Sequence, residues 1–312
     1  MHYVIGDVHG CYDELMDLLQ IIEAQDKDAR YIFVGDLIDR GKKVWDVLEW
    51  AMEHITLDGK YQSVRGNHEQ MALEWYEVWT EWKKRGGYAG TGEEMPETNY
   101  DFSLWLERHK CMEVEKLEQI MKFFRSLPYA RTLTVTNGSS QVTYKIVHAW
   151  YDFHETSRKA QQFKNIWMRC YEGNLVTEDI IVHGHTPTFD LDFLRGDKST
   201  PRPGLINYRK NAINLDGGCV FAAGVSLPCM LCAICLETLE EFYHNTLEEG
   251  FMELSQYMIS REEAGKRAGK YRKEFLQDEN CYRKEMLERL GRRISQCNQE
   301  FCGESEACIG EG

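Results

Sequence analysis

Tyr3-Val4-Ile5-Gly6-Asp7-Val8-His9-Gly10 stands at the head of the chain: a β-prone apolar run ending in a glycine turn that carries Asp and His. The same design returns twice. Tyr31–Val34 leads into Gly35-Asp36-Leu37-Ile38-Asp39-Arg40-Gly41, and Tyr61–Val64 leads through Arg65 into Gly66-Asn67-His68-Glu69. Helical patterns fill the intervals. Tyr12–Ala24 places Leu15, Leu18, Leu19 and Ile22 on one stripe, and Val44–His54 and Glu69–Lys84 also read as helices. This alternation predicts parallel strands with helices on the sheet faces. The polar residues that end each strand can then converge on one site.

Further along, Tyr100–His109 and Val114–Ser126 are helical patterns within an insertion at about 85–127. After Pro128 the character changes. Thr132–Thr136, Asn137-Gly138 and Val142–Ala149 read as a hairpin. Ile180–Val182, Ala212–Leu215, Val220–Val225 and Cys229–Leu236 read as further strands. Two of these runs border His148-Ala149 and His183-Gly184-His185-Thr186. From about Thr246 the chain is charged and helical, notably at Arg261–Lys273 and Arg283–Arg293. The expected fold class is α/β: a two-sheet β-sandwich flanked by helices over 1–245, with the helical insertion and a helical charged tail over 246–312.

Composition narrows the function. The chain has 312 residues, 43% of them hydrophobic, enough for a sizeable core. With 37 basic against 51 acidic residues the formal charge is −14, which argues against a nucleic-acid partner. It leaves a phosphorylated substrate open, because bound divalent ions would supply the local positive charge. Met1 leads directly into the first strand, with no basic segment before an apolar one. No apolar run reaches the roughly 18 residues of a membrane span. A cytoplasmic protein with no membrane partner is expected. The eleven cysteines are then reduced thiols rather than a disulfide framework. Cys229, Cys232 and Cys235 have part of an iron–sulfur spacing, but no fourth Cys follows and a strand points i and i+3 to opposite faces. They read as small buried hydrophobes, and Cys281, Cys297, Cys302 and Cys308 match no zinc spacing.

The strand-end residues suit phosphoester hydrolysis. That reaction needs an activated water, neutralised phosphoryl oxygens and a proton for the leaving group. Two divalent metals roughly 3.5–4 Å apart supply the first two, the bridging water becoming hydroxide near neutral pH. Asp7 and His9 can face one cavity, Asp36 can bridge with its two oxygens, Asn67 offers a carbonyl oxygen, and His148 and His185 each bring one ring nitrogen. The mixed set suits Mn²⁺, Fe or Zn²⁺ over Ca²⁺. Arg40 can clamp phosphoryl oxygens, with Arg169 of Trp167-Met168-Arg169 as a second arginine and Arg158 and Arg202 as rivals. His68, beside a ligand, is the natural general acid, with Asp39 to orient it. His183 reads as a packed neighbour of the site. Trp75, Trp79 and Trp82 have helical spacing and read as a buried face.

The series GDxHG, GDxxDRG, GNHE, HA and GHT resembles the phosphoprotein phosphatase family of the calcineurin-like metallophosphoesterases, over roughly Met1 to Leu236. Trp167-Met168-Arg169 and Asp216-Gly217-Gly218-Cys219-Val220-Phe221 are similar to segments of its small bacterial and phage members. The resemblance implies Asp7, His9 and Asp36 on one ion and Asp36, Asn67, His148 and His185 on the other. It implies His68 as acid, Asp39 behind it, Arg40 and Arg169 on phosphate, and Mn²⁺ as the activating ion. Trp150 stands where many members have Gly, so it is expected to narrow the cavity or stack on a substrate. The expected activity is that of a serine/threonine protein phosphatase acting on a phosphorylated protein or a small phosphoester. The alternatives are a dinucleoside-polyphosphate hydrolase, a branch that typically carries GNHD and lacks the Asp of DRG, and a nucleic-acid end-processing phosphatase. The tail could dimerise, dock a substrate or cover the sheet, and the oligomeric state stays open.

Overall fold

The computed structural model of the chain describes residues 1–87, 114–137, 140–169, 178–188, 204–222, 229–244 and 282–291. The expected helix at Tyr100–His109, the charged segment Arg261–Lys273, Arg202 and the tail cysteines lie outside these residues.

Five strands form a first sheet: β1 (His2–Ile5), β2 (Arg30–Phe33), β3 (Tyr61–Ser63), β9 (Cys232–Cys235) and β10 (Glu241–Tyr243). Their order is β10-β9-β1-β2-β3, with β1, β2 and β3 parallel and β9 antiparallel to both its neighbours. A second sheet holds β4 (Ala130–Asn137), β5 (Ser140–Val147), β6 (Ile180–His183), β7 (Asn207–Arg209) and β8 (Ala212–Asn214), in the order β4-β5-β6-β8-β7. Here β5, β6 and β8 run parallel. The loops after β1, β2 and β3 therefore leave one edge of the first sheet, and those after β5, β6 and β8 leave one edge of the second.

The alternation of side chains along each strand builds the layers. Val4, Ile32 and Ile234 point inward and meet Tyr144, Ile146, Val182 and Ile213 of the second sheet. Tyr3, Ile5, Tyr31 and Phe33 point outward, where α1 (Tyr12–Gln25), α2 (Val44–His54), α3 (Asn67–Lys84) and α4 (Val114–Ser126) cover them. The stripe expected on α1 is the buried one: Leu15, Leu18, Leu19 and Ile22. Trp75 and Trp79 stack within the same outer core. On the far face of the second sheet, Val147, Ile181 and Ala212 form a smaller cluster. There α5 (Arg158–Trp167) is tied down by Ala149 N donating to Asn165 O at 2.6 Å. Cys232 and Cys235 are fully buried on opposite faces of the first sheet, Cys232 in the inner core and Cys235 in the outer.

Three findings differ from or add to the expectations. Of the expected strand Val220–Val225, the described residues Val220–Ala222 are not in a strand. Cys219–Phe221 is a 3₁₀ turn, because Gly218 takes a left-handed conformation and Phe221 N then donates back to Gly218 O at 2.9 Å. Second, β7, β10 and α5 were not anticipated. The two strands have three residues each, too few to show alternation, and α5 buries only Asn165 and Ile166. Third, the described part of the tail, whose role was left open, packs into the core. Residues 282–289 form a helix, α6, whose Met286, like Leu290 just beyond it, is 1% exposed within the inter-sheet core. Arg289 Nη1 donates to Asn211 Oδ1 at 2.8 Å and Arg283 Nη2 to Leu239 O at 2.9 Å. Among the described residues no helix is long and apolar enough to cross a membrane.

Candidate metal centre

The loops after β1 and β2 are laced together by backbone. Val8 N and His9 N both donate to Asp36 O, at 3.2 and 2.8 Å, and Gly10 N donates to Leu37 O at 3.0 Å. Asp36 becomes the centre of the site. Its Oδ1 accepts from His68 N at 3.0 Å, fixing the start of α3. Its Oδ2 lies 3.4 Å from His9 Nε2, 3.3 Å from His148 Nε2 and 3.8 Å from His68 Nε2. Asp36 is thus shared by two buried clusters, one with His9 and His68 and one with His148 and His185. Asn67 Oδ1 joins the second cluster, 2.8 Å from His148 Nε2 and 2.9 Å from His185 Nδ1. Asp7 closes the site from β1, both its carboxylate oxygens accepting from His185 N at 3.0 and 3.3 Å. At Gly184 an added Cβ would collide with Asp7 Oδ1, and at Gly66 with Asp36 Oδ1. His9, Asp36, Asp39, Arg40 and His185 all have positive φ, between 44° and 72°. Backbone strain of order 1–3 kcal/mol per such residue is gathered at this centre.

The donor set fits a divalent cation. His9 Nδ1 donates to Ile38 O at 2.8 Å and His148 Nδ1 to Val34 O at 2.9 Å. These bonds fix the tautomers, so both Nε2 atoms present a lone pair to the centre. His148 Nε2 then faces Asn67 Oδ1 and Asp36 Oδ2, acceptor against acceptor, an arrangement that a cation among them satisfies. Electrostatics agree. Burial lowers His9 to about 3, with Arg40 adding to it and Asp36 opposing. Burial likewise lowers His185 to about 2, helped by His148 and Arg169. Both rings are neutral at pH 7, the state a metal ligand needs. Burial pushes the Asp7 carboxyl well up, and the Asp216 and Asp36 charges push it further. Burial also raises Asp216, to about 6. Burial opposes ionisation of Asp36 too, but the adjacent His148 and His68 hold it well below the usual range. A cation relieves this crowding of buried carboxylates.

The polar residues that are not proposed ligands form a rim. His68 Nδ1 donates to Asp39 Oδ2 at 2.5 Å. Burial would lower His68, but the charges of Asp36 and Asp39 hold it above its ordinary value. Arg40 reaches His9 Nε2 at 2.6 Å and His68 Nε2 at 3.0 Å, with its guanidinium 5.6 Å from the centroid of the Phe221 ring. Arg169 Nη1 donates to Thr186 Oγ1 at 2.9 Å, which brings it beside His185. Its rival Arg158 heads α5. Trp150 is placed otherwise than expected. It is 9% exposed, packs edge-to-face on His183 and belongs to the cluster on the far side of the second sheet. That burial leaves it little surface for a substrate. Sequence reasoning gave no role to Glu69, Thr186, Phe221 or Asp216. Glu69 was legible in principle, as the third residue of a helix whose first turn has free N–H groups.

The calcineurin-like phosphoesterase profile matches residues 3–215, a span that contains every proposed ligand. The chain belongs to that family. Calcineurin-like phosphoesterases hydrolyse phosphoesters with divalent metals, so this protein is a metal-dependent hydrolase. Among curated relatives, the asymmetrical bis(5'-nucleosyl)-tetraphosphatase PrpE of Bacillus velezensis is 28% identical over 243 residues, 70% of this chain and 84% of that protein. Serine/threonine-protein phosphatase 1 of Salmonella typhimurium is 27% identical over 193 residues, 59% of this chain and 78% of that one. Among solved structures, a metallophosphoesterase from Sphaerobacter thermophilus is similar with a TM-score of 0.40 at 15% identity, over 78% of this chain and 87% of that one.

Proposed function

We propose that this calcineurin-like phosphoesterase is a phosphomonoesterase of the serine/threonine protein phosphatase type, activated by Mn²⁺. The observation that carries the reading is the His68–Asp39 pair beside the Asp36 clusters. A serine or threonine alkoxide is a poor leaving group and needs a proton as the P–O bond breaks. Asp7, His9 and Asp36 would hold one ion, and Asp36, Asn67, His148 and His185 the other. When bound, the ion pair supplies an acidified water and positive charge for the phosphoryl oxygens. Arg40 and Arg169 orient the phosphoryl group, and His68 gives its proton to the leaving oxygen while Asp39 keeps the ring aligned. The free buried thiols Cys11, Cys219, Cys229, Cys232 and Cys235 suit a cytoplasmic location.

A second reading, dinucleoside-polyphosphate hydrolysis, is favoured by the likeness to the Bacillus velezensis tetraphosphatase. It differs in chemistry, because a departing nucleotide phosphate is stable without a proton and makes little demand on His68. The deciding experiment compares kcat/KM on a phosphoserine peptide and on diadenosine tetraphosphate in Mn²⁺. The protein-phosphatase reading expects the peptide to be preferred. Faster turnover of the dinucleotide would overturn it in favour of the second.

A further inference from the structure

Glu69 is 0% exposed, yet it is a carboxylate one position beyond the proposed acid. All its hydrogen bonding is spent on backbone. Oε2 accepts from Asp36 N at 3.0 Å and from Gly66 N at 2.8 Å, and Oε1 accepts from Leu37 N at 2.8 Å. Asp36 and Leu37 belong to the loop after β2, whereas Gly66 precedes α3, so one carboxylate ties the two loops that carry Asp36 and Asn67. The tie is reciprocal, since Asp36 Oδ1 accepts from His68 N in the first turn of α3. It also acts where the chain is under strain. Asp36 has φ 50°, a conformation that an L-residue leaves unless its neighbours hold it. Burial and the Asp36 charge push the Glu69 carboxyl up, and the N–H groups of Leu37 and Gly66 oppose that rise, as free N–H groups in a helix's first turn do for a negative side chain.

We propose that Glu69 is a positioning residue for the metal centre. By clamping the peptide N–H groups of Asp36, Leu37 and Gly66 it aims Asp36 Oδ2 between the two histidine clusters and sets Asn67 against the second. It touches neither metal nor substrate. The inference rests on the metal-centre reading above.

The test is Mn²⁺ titration by calorimetry of the wild-type chain, Glu69→Gln and Glu69→Asp, with electron paramagnetic resonance of the loaded proteins. Glutamine keeps the shape but turns an N–H₂ toward backbone donors, and aspartate is one methylene too short to reach both loops. In each folded variant the expected result is Mn²⁺ affinity lower by about tenfold or more. The spin-coupled signature of the Mn²⁺ pair should change as well, and at saturating Mn²⁺ kcat should fall with KM held. Wild-type affinity and coupling in either folded variant overturns the proposal. So does failure of both variants to fold, which makes Glu69 a folding residue only. Fewer than two Mn²⁺ bound by the wild type instead removes the metal-centre reading itself, an outcome distinct from failure of the clamp.

Discussion

His68 is the residue on which the proposed chemistry turns. Its Nδ1 is held by Asp39 at 2.5 Å and its Nε2 faces Arg40 at 3.0 Å, so the ring can turn little without losing both partners. His68→Asn should lower kcat on a phosphoserine peptide by about 10²–10⁴-fold, the usual worth of a positioned acid. On diadenosine tetraphosphate the same change should cost much less, because that leaving group needs no proton. Equal losses on both substrates would contradict His68 as the leaving-group acid. At the same scale, Gly184 has no room for a methyl group, since an added Cβ meets the Asp7 carboxylate. Gly184→Ala should cost about 1–3 kcal/mol of stability by overpacking. It should also weaken Mn²⁺ binding in calorimetry, as Asp7 is pushed aside. Unchanged binding would show that Asp7 is not held where the proposed ligand set needs it.

At the scale of elements, the strand ends matter more than the strands. The sequence patterns found β1, β2, β3 and β6 to within a residue or two, because each is an apolar run stopped by a glycine turn or a polar loop. The described part of the expected strand Val220–Val225 shows what local pattern lacks. Val220–Ala222 are apolar enough for a strand, but the left-handed Gly218 turns the chain into a 3₁₀ turn there. The N-terminus of β1 offers a separate test. Glu237 accepts from His2 N at 2.9 Å and contacts His2 Nδ1 at 2.7 Å. Burial pushes Glu237 up, but the hydrogen bonds from His2 hold it below its ordinary value. A carboxylate lowered on folding stabilises the protein above its unfolded value, about 4.3, and that contribution fades as pH falls through the folded value. Glu237→Gln should therefore cost up to about 1 kcal/mol near pH 7, solvent screening included, and almost nothing in strong acid. Chemical denaturation across pH measures this, and a pH-independent loss would show that packing, not ionisation, is at work.

The molecule is a sandwich whose inner core is completed by residues more than 280 positions from its first strand. Met286 and Leu290 pack with Val4, Tyr144 and Leu239. Met286→Ala should cost about 2–5 kcal/mol in denaturant unfolding, with Mn²⁺-dependent turnover at 25 °C kept. A loss below about 0.5 kcal/mol would show that α6 is dispensable to the core. Function at this scale also depends on metal. Chelation should abolish phosphopeptide hydrolysis and added Mn²⁺ should restore it, whereas full activity in chelator would overturn the metal-dependent reading.

The sequence by itself determined the α/β class, the family and the residues that gather around Asp36. Each is written locally, as an Asp, His or Asn placed in a tight turn at the end of an apolar run, and local chemistry survives any arrangement of distant parts. Only the tertiary structure decided three things. It set Trp150 against His183 on the far face rather than over the site, it gave Glu69 its backbone clamp, and it drew α6 into the core. Those outcomes depend on which distant surfaces meet, and burial is a property of the meeting surfaces, not of the residue alone.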